Sequence, residues 1–86
     1  MLLVTQGKGR INQLGFDKKT SEYVYIHTGQ EIWREKGDTS LLDIFNKARG
    51  EYTFPDMDEV RKHPIYVKYE DDCDAFYRKE NPWIYR

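Results

Sequence analysis

Cysteine and histidine are scarce in this sequence. Its 86 residues include one cysteine, Cys73, and two histidines, His27 and His63. A disulfide within the chain needs two cysteines, so none can form, and a reducing, cytoplasmic setting fits this usage best. Zinc sites need three or four ligands at recognisable spacing, which one cysteine and two distant histidines do not provide. We therefore expect no bound metal and no cofactor.

Long apolar runs are also missing. No segment approaches the roughly 20 apolar residues of a membrane-spanning helix. The opening MLLVTQGKGR has no basic region before its short apolar run and no small-residue cleavage site, so it does not have the pattern of a signal peptide. We expect a protein that does not interact with a membrane.

Catalytic motifs are absent as well. GKGR (residues 7–10) has two glycines and two bases but not the GxxxxGK[ST] pattern of a P-loop, so we expect an ordinary hairpin turn. EDDCD (residues 70–74) surrounds Cys73 with four carboxylates, which disfavour a reactive thiolate, and it lacks the glycine of a calcium loop. This stretch is typical of an acid-rich helix start with a buried cysteine. We expect no catalytic residues and no enzyme.

Charges are numerous but balanced: 34% of the residues are Asp, Glu, Lys or Arg, and the net charge is −1. Bases are in excess in residues 1–50 and acids in residues 51–86, but this asymmetry is too weak to indicate a nucleic-acid binder. Hydrophobic residues make up only 38% of the chain, while aromatics reach 15%. Low hydrophobicity without high net charge does not predict disorder, and large aromatic side chains can fill a small core. We expect one folded domain spanning residues 1–86.

The first part of the chain has the two-residue alternation of β-strands. The segment EYVYIHT would place Tyr23, Tyr25 and His27 on one face of a strand. Turn signals at KKTS and at Thr28-Gly29-Gln30 separate it from its neighbours. The candidate strands are LLVTQ, RINQLGFD, EYVYIHT and EIWRE. They predict an antiparallel β-meander of three or four strands.

Helical signals dominate the rest of the chain. KGDTSLLDIFNKARG predicts the main helix at about 40–49, with Ser40 as its N-cap and Gly50 as a left-handed end. FPDMDEVRKHP predicts a short helix near 56–62 that Pro64 ends. IYVKY (65–69) alternates and predicts a further strand, and DDCDAFYRKE predicts a short helix near 71–79. The apolar stripe of the main helix consists of Leu41, Ile44, Phe45 and Ala48. The fold class that we predict is α+β.

The chain ends in an aromatic-rich segment, YEDDCDAFYRKENPWIYR. If WIYR is a strand, Trp83 and Tyr85 face one way and Ile84 the other, and a core does not easily cover both sides at a chain end. Tryptophan and tyrosine also anchor protein interfaces. We therefore predict a surface for another macromolecule, and its residues are Trp83, Tyr85, Tyr69, Asp71, Asp72 and Asp74. The alternative is that WIYR packs as an edge strand; an edge strand at WIYR or IYVKY would also allow a homodimer.

A second hypothesis concerns the N-terminal hairpin. QLGFD and YVYIH resemble the paired strand motifs of cold-shock domains, whose aromatic side chains stack on single-stranded bases. The chain departs from that family because Phe16 is the only aromatic before Asp17 and because the helices after Gly37 do not belong to that barrel. The resemblance implies base stacking by Phe16, Tyr23, Tyr25 and His27, and phosphate contacts by Lys8, Arg10, Lys18 and Lys19. The other interpretation is an amphipathic hairpin that packs on a helix.

These observations favour a small non-enzymatic binding protein that acts by protein–protein contact. The profile is typical of small inhibitors and adaptors encoded by phages and mobile elements. An acidic, aromatic surface would suit a basic partner, such as a host protein that handles nucleic acids. Single-stranded nucleic-acid binding through the hairpin is the alternative, and an enzyme that uses the acids around Cys73 is the third hypothesis.

Overall fold

A four-stranded sheet followed by three helices forms the fold. The structure is a computed structural model, and it describes residues 2–6 and 11–80. The GKGR turn, with Lys8 and Arg10, lies outside this range. The elements are β1 (Leu2–Gln6), β2 (Asn12–Asp17), β3 (Glu22–His27), β4 (Gln30–Lys36), α1 (Ser40–Gly50), α2 (Met57–Val60) and α3 (Pro64–Glu80). The predicted α+β class and the antiparallel meander are confirmed.

The sheet has the order β1-β2-β3-β4, with every neighbouring pair antiparallel. Thr28 and Gly29 form the tight turn between β3 and β4, and both adopt left-handed backbone angles, with φ of 49° and 82°. Two left-handed residues in a two-residue loop match the twist of the strands that they join. The turn between β2 and β3 is fixed by Asp17, whose carboxylate accepts a hydrogen bond from the Lys19 amide at 3.0 Å.

The inner face of the sheet carries the aromatic residues that the alternation predicts. Tyr23, Tyr25 and His27 are buried, and they lie on the side covered by the helices. On the outer face, the Arg34 guanidinium lies 3.1 Å from the Asp17 carboxylate, which ties β4 to β2 across the intervening strand. The predicted orientation of β3 is therefore correct.

The start and the end of α1 differ from the prediction. Ser40 is the first helical residue rather than the cap, and its amide and hydroxyl both donate to the Asp38 carboxylate, at 3.0 and 2.5 Å. Gly50 stays helical, and the left-handed angle falls two residues later, on Tyr52, with φ of 53°. The predicted roles of Ser40 and Gly50 were therefore wrong.

The predicted strand at 65–69 is wrong, because these residues form the first turns of α3. Pro64 begins this helix instead of ending the previous one, in keeping with the preference of proline for a first helical position. Tyr66, Tyr69 and Cys73 are buried and recur at the helical spacing of three and four residues. The helix predicted near 71–79 is the second half of α3, and the helix predicted near 56–62 is the shorter α2.

Candidate interaction surface

The structure describes four residues of the predicted partner surface, Tyr69, Asp71, Asp72 and Asp74, and these four do not share one exposed face. Trp83 and Tyr85 lie outside the described residues. Tyr69 is 2% exposed and belongs to the core, where its ring meets the edge of Tyr25 at 5.3 Å. The acids stand in the middle of α3, not at a helix start. Tyr69 is therefore not available to a partner in this conformation.

Asp72 has a structural role that the sequence did not reveal. Its carboxylate accepts a hydrogen bond from the Trp33 indole at 2.5 Å, which ties α3 to β4. Lys68 on the same helix lies over the Trp33 ring and donates to Glu35 at 2.7 Å. Asp71 is exposed, and Asp74 is half-buried with interactions of its own. The acids of EDDCD thus serve partly to dock the helix on the sheet edge.

The aromatic residues of the nucleic-acid hypothesis lie close together, but in the core. Tyr23 and Tyr25 are 1% and 0% exposed, and Phe16 is buried beside them. A base could not stack on these rings unless the helices first came away from the sheet. Lys18 and Lys19 are exposed in the turn between β2 and β3. Lys18 and Lys19 are therefore accessible, but the exposed aromatic rings that the resemblance to cold-shock domains implies are not present beside them.

A buried polar cluster lies beneath α3. Asn12 Oδ1 accepts hydrogen bonds from the Tyr25 hydroxyl at 2.8 Å and from His27 Nδ1 at 2.7 Å. The Tyr69 hydroxyl donates to the Asn12 carbonyl at 3.3 Å, and the His27 ring stacks on Phe76 with centroids 4.0 Å apart. Burial raises the pKa of both the Tyr25 and Tyr69 hydroxyls, so they stay protonated as donors. The cluster links β2 and β3 to α3.

Residues 51–56 connect α1 to α2, and we call this segment the aromatic loop. Two of its side chains are aromatic and exposed to solvent. Tyr52 and Phe54 are each 98% exposed. Single exposed apolar residues are ordinary on a protein surface, but two rings that are both almost fully exposed and only two residues apart in the sequence make this segment a candidate interaction site. Sequence reasoning missed this candidate site, although both rings fall outside the apolar stripe of α1.

The backbone of the aromatic loop is held in place. The amides of Glu51, Tyr52 and Thr53 donate to carbonyls in the last turn of α1, at 3.1, 3.2 and 2.9 Å. Pro55 restricts the chain after Phe54. The two rings are therefore presented on an ordered turn, which lowers the entropy cost of binding a partner.

A shallow groove lies on each side of Phe54 and Pro55. The apolar groove runs toward the sheet edge and is lined by Leu3, Phe45, Ala48, Met57 and Tyr66, with Phe54 as one wall. The acidic groove runs along α1 and α2, and its charged lining consists of Glu51, Asp56, Glu59 and the base Lys47. Ile44, Ala48 and Pro55 also line the acidic groove, so Phe54 is a ridge between two grooves with apolar walls, of which one carries three carboxylates.

Arg49 closes one side of the apolar groove. Its guanidinium donates to the carbonyls of Leu3 and Val4 on β1 and to the Asn46 side chain. These bonds occupy backbone acceptors of an edge strand, and so they protect it from pairing with another strand. A partner at this groove would meet side chains instead of a free strand edge.

Other kinds of site are not found in the part of the chain that the structure describes. No group of three or more His, Cys, Asp or Glu residues there could hold a metal ion. None of the helices described in residues 11–80 combines the length and the apolar character that a membrane crossing needs. The aromatic loop and its two grooves are the feature of these residues that most resembles a binding surface.

Comparison of the chain with protein-family models, with curated proteins and with solved structures finds no match to any of them.

Proposed function

We propose that this protein is a non-enzymatic binding protein that acts by contact with another protein, and that the aromatic loop is its contact surface. The observation that carries the proposal is the 98% exposure of both Tyr52 and Phe54 on an ordered turn. Covering a large apolar side chain stabilises a complex by roughly 1.5–3 kcal/mol. Tyrosine and phenylalanine are also enriched at the centres of protein interfaces.

The class of partner follows from the charges beside the rings. Three acids and one base line the acidic groove, which favours a basic partner. We retain the proposal that this partner is a host protein that handles nucleic acids, with the present chain acting as an inhibitor or adaptor. A reducing, cytoplasmic setting for that contact is supported by the single cysteine, Cys73, which is buried.

Affinity capture from a host lysate, carried out with and without nuclease, tests the proposal. Replacing Tyr52 and Phe54 together by alanine should lower the capture of a specific protein at least tenfold, because interface anchors each contribute about 2 kcal/mol or more. Both side chains are exposed, so the double variant should keep its free energy of unfolding to within about 0.5 kcal/mol.

Two control variants locate the surface. Ile32→Ala removes a 40% exposed apolar side chain from β4, at the sheet edge opposite β1, and should leave capture unchanged. Trp83→Ala/Tyr85→Ala tests the tail that the sequence suggested. Loss of capture with the tail variant alone would move the surface to the tail. The proposal would be refuted if nucleic acid were recovered in place of a protein, in equal amounts with the wild type and with the Tyr52 and Phe54 double variant.

A further inference from the structure

The two grooves beside Phe54 share one ridge but differ in chemistry. Phe54, Pro55, Thr53 and Ala48 border both of them. A segment that lies across this ridge would therefore contact an apolar surface on one side and carboxylates on the other. One occupant has to satisfy both surfaces at the same time.

The apolar groove favours uncharged side chains. Its lining combines aliphatic and aromatic groups, with Leu3 42% exposed and Phe54 98% exposed. Arg49 is the cation at its rim, and its guanidinium already donates to Leu3, Val4 and Asn46. An acidic partner residue would have to compete with these bonds, whereas an apolar side chain would gain from burial.

The acidic groove favours lysine or arginine. Glu51, Asp56 and Glu59 line it together with one base, Lys47. Lys62 approaches Glu59 at 3.0 Å, but both side chains are more than half exposed, at 70% and 55%. An exposed pair of this kind contributes little, so a partner cation can replace Lys62 at small cost.

From these observations we infer that the surface binds an amphipathic, basic segment of the partner protein. Its apolar side chains occupy the groove beside Leu3 and Met57, and its lysine or arginine side chains lie over Glu51 and Glu59. This inference rests on the proposed function and adds the chemistry of the segment that is recognised. Nucleic acid and anionic lipid would be repelled by the carboxylates, and a second copy of this chain is a separate outcome of the test.

A phage-displayed library of random peptides is the probe. The full-length protein is the bait, and phage that also bind the Phe54→Ala variant are removed at each round. The enriched peptides should carry a net positive charge together with apolar residues. Their affinity for the wild-type protein should weaken as salt is added.

Charge reversal separates this inference from the proposed function. Glu51→Lys/Glu59→Lys leaves the rings in place and should lower peptide affinity by roughly three- to tenfold. The matched control is Glu31→Lys/Glu80→Lys, which makes the same change in net charge at exposed positions that line neither groove. It should change affinity much less.

The outcomes are distinct. Enriched peptides that are neutral or acidic, or that bind the Glu51→Lys/Glu59→Lys variant equally well, would overturn the inference and leave the aromatic loop as the contact surface. Failure to enrich any peptide that depends on Phe54 would overturn the proposed surface as well. Concentration-dependent self-association that Phe54→Ala abolishes would identify a second copy of the chain as the occupant and would also overturn the inference.

Discussion

At the scale of single residues, Asn12 links the sheet to the last helix. Its side-chain oxygen accepts from Tyr25 and His27, and its carbonyl accepts from Tyr69 of α3. Every buried side-chain nitrogen or oxygen within residues 2–6 and 11–80 has a hydrogen-bond partner. A small core that contains polar groups depends on such complete pairing, since a buried polar group without a partner is costly.

Two substitutions in this cluster should differ in cost. Tyr25→Phe removes one donor, but His27 still donates to Asn12, so the free energy of unfolding should fall by about 0.5–1.5 kcal/mol. Asn12→Ala leaves both the Tyr25 hydroxyl and His27 Nδ1 without their acceptor, and each orphaned group costs about 1–3 kcal/mol. Urea unfolding of both variants measures the difference. An equal loss in the two variants would show that Asn12 does not organise the cluster.

At the scale of elements, the strands were predictable because their pattern is explicit. The alternation of Tyr23, Tyr25 and His27 on β3 predicts one shared face, and the contacts of these side chains with α1 and α3 confirm it. The five residues of IYVKY were ambiguous, since a short apolar run fits a strand or a helix equally well. The longer spacing of Tyr66, Tyr69 and Cys73 indicates a helix, but it becomes visible only when Pro64 is taken as a start instead of a stop.

The exposed rings of the aromatic loop were not predicted from the sequence, and the predicted surface around Trp83 and Tyr85 stays a prediction. Composition shows that aromatic residues are numerous, but not which of them the core covers. Tertiary packing decides which aromatic rings stay outside the core. Helix α3 buries Tyr66 and Tyr69 against the sheet, whereas Tyr52 and Phe54 remain exposed to solvent. Sequence periodicity describes one helix or strand at a time. It does not show how many aromatic rings the neighbouring elements already contribute to the core.

The junction between β4 and α1 provides a prediction at the same scale. A Cβ atom on Gly37 would lie 2.9 Å from Ile65 Cδ1 and 3.0 Å from the Tyr23 ring. Gly37→Ala should therefore force side chains apart and lower the free energy of unfolding by about 1–3 kcal/mol. Gly50→Ala is the matched control, because Gly50 lies in α1 and its added Cβ would meet no atom within 4 Å beyond its chain neighbours and the backbone of its own helix.

The control should move stability in the opposite direction. Alanine is favoured over glycine within a helix by roughly 0.5–1 kcal/mol, so Gly50→Ala should be neutral or stabilising. Thermal unfolding of the two variants measures both effects. If the Gly37→Ala variant were as stable as the Gly50→Ala variant, α3 could not pack as closely against the junction between β4 and α1 as the structure shows.

At the scale of the whole molecule, the core is built on tyrosine. Burial raises the pKa of Tyr66 to about 12, with a further contribution from Glu70, and it raises the pKa of Tyr23, Tyr25 and Tyr69 as well. Two of these hydroxyls connect strands to helices: the Tyr23 hydroxyl accepts from the Leu42 amide of α1 at 3.2 Å, and the Tyr69 hydroxyl of α3 donates to the Asn12 carbonyl at 3.3 Å. The fold therefore requires the neutral form of several tyrosines at once.

This requirement predicts sensitivity to alkali. In the unfolded chain, tyrosine ionises near its ordinary pKa of about 10, whereas the buried rings of the fold keep their protons to higher pH. The unfolded state then binds fewer protons than the folded state, so stability falls as pH rises. The stabilisation should be complete below about pH 10 and should be lost progressively as pH rises toward the Tyr66 value of about 12.

Urea unfolding across this range, followed together with tyrosinate absorbance, measures the effect. The free energy of unfolding should decline at pH values where the buried tyrosines of the native protein are still protonated. These tyrosines should ionise only when the protein unfolds. Tyr66→Phe removes one hydroxyl whose pKa is raised in the folded state. The free energy of unfolding should then decline less steeply with pH, because one fewer proton is released on unfolding. A stability that stayed constant well above the ordinary tyrosine pKa would mean that these rings are solvated in the folded state, and the packing of α3 on the sheet would be refuted with it.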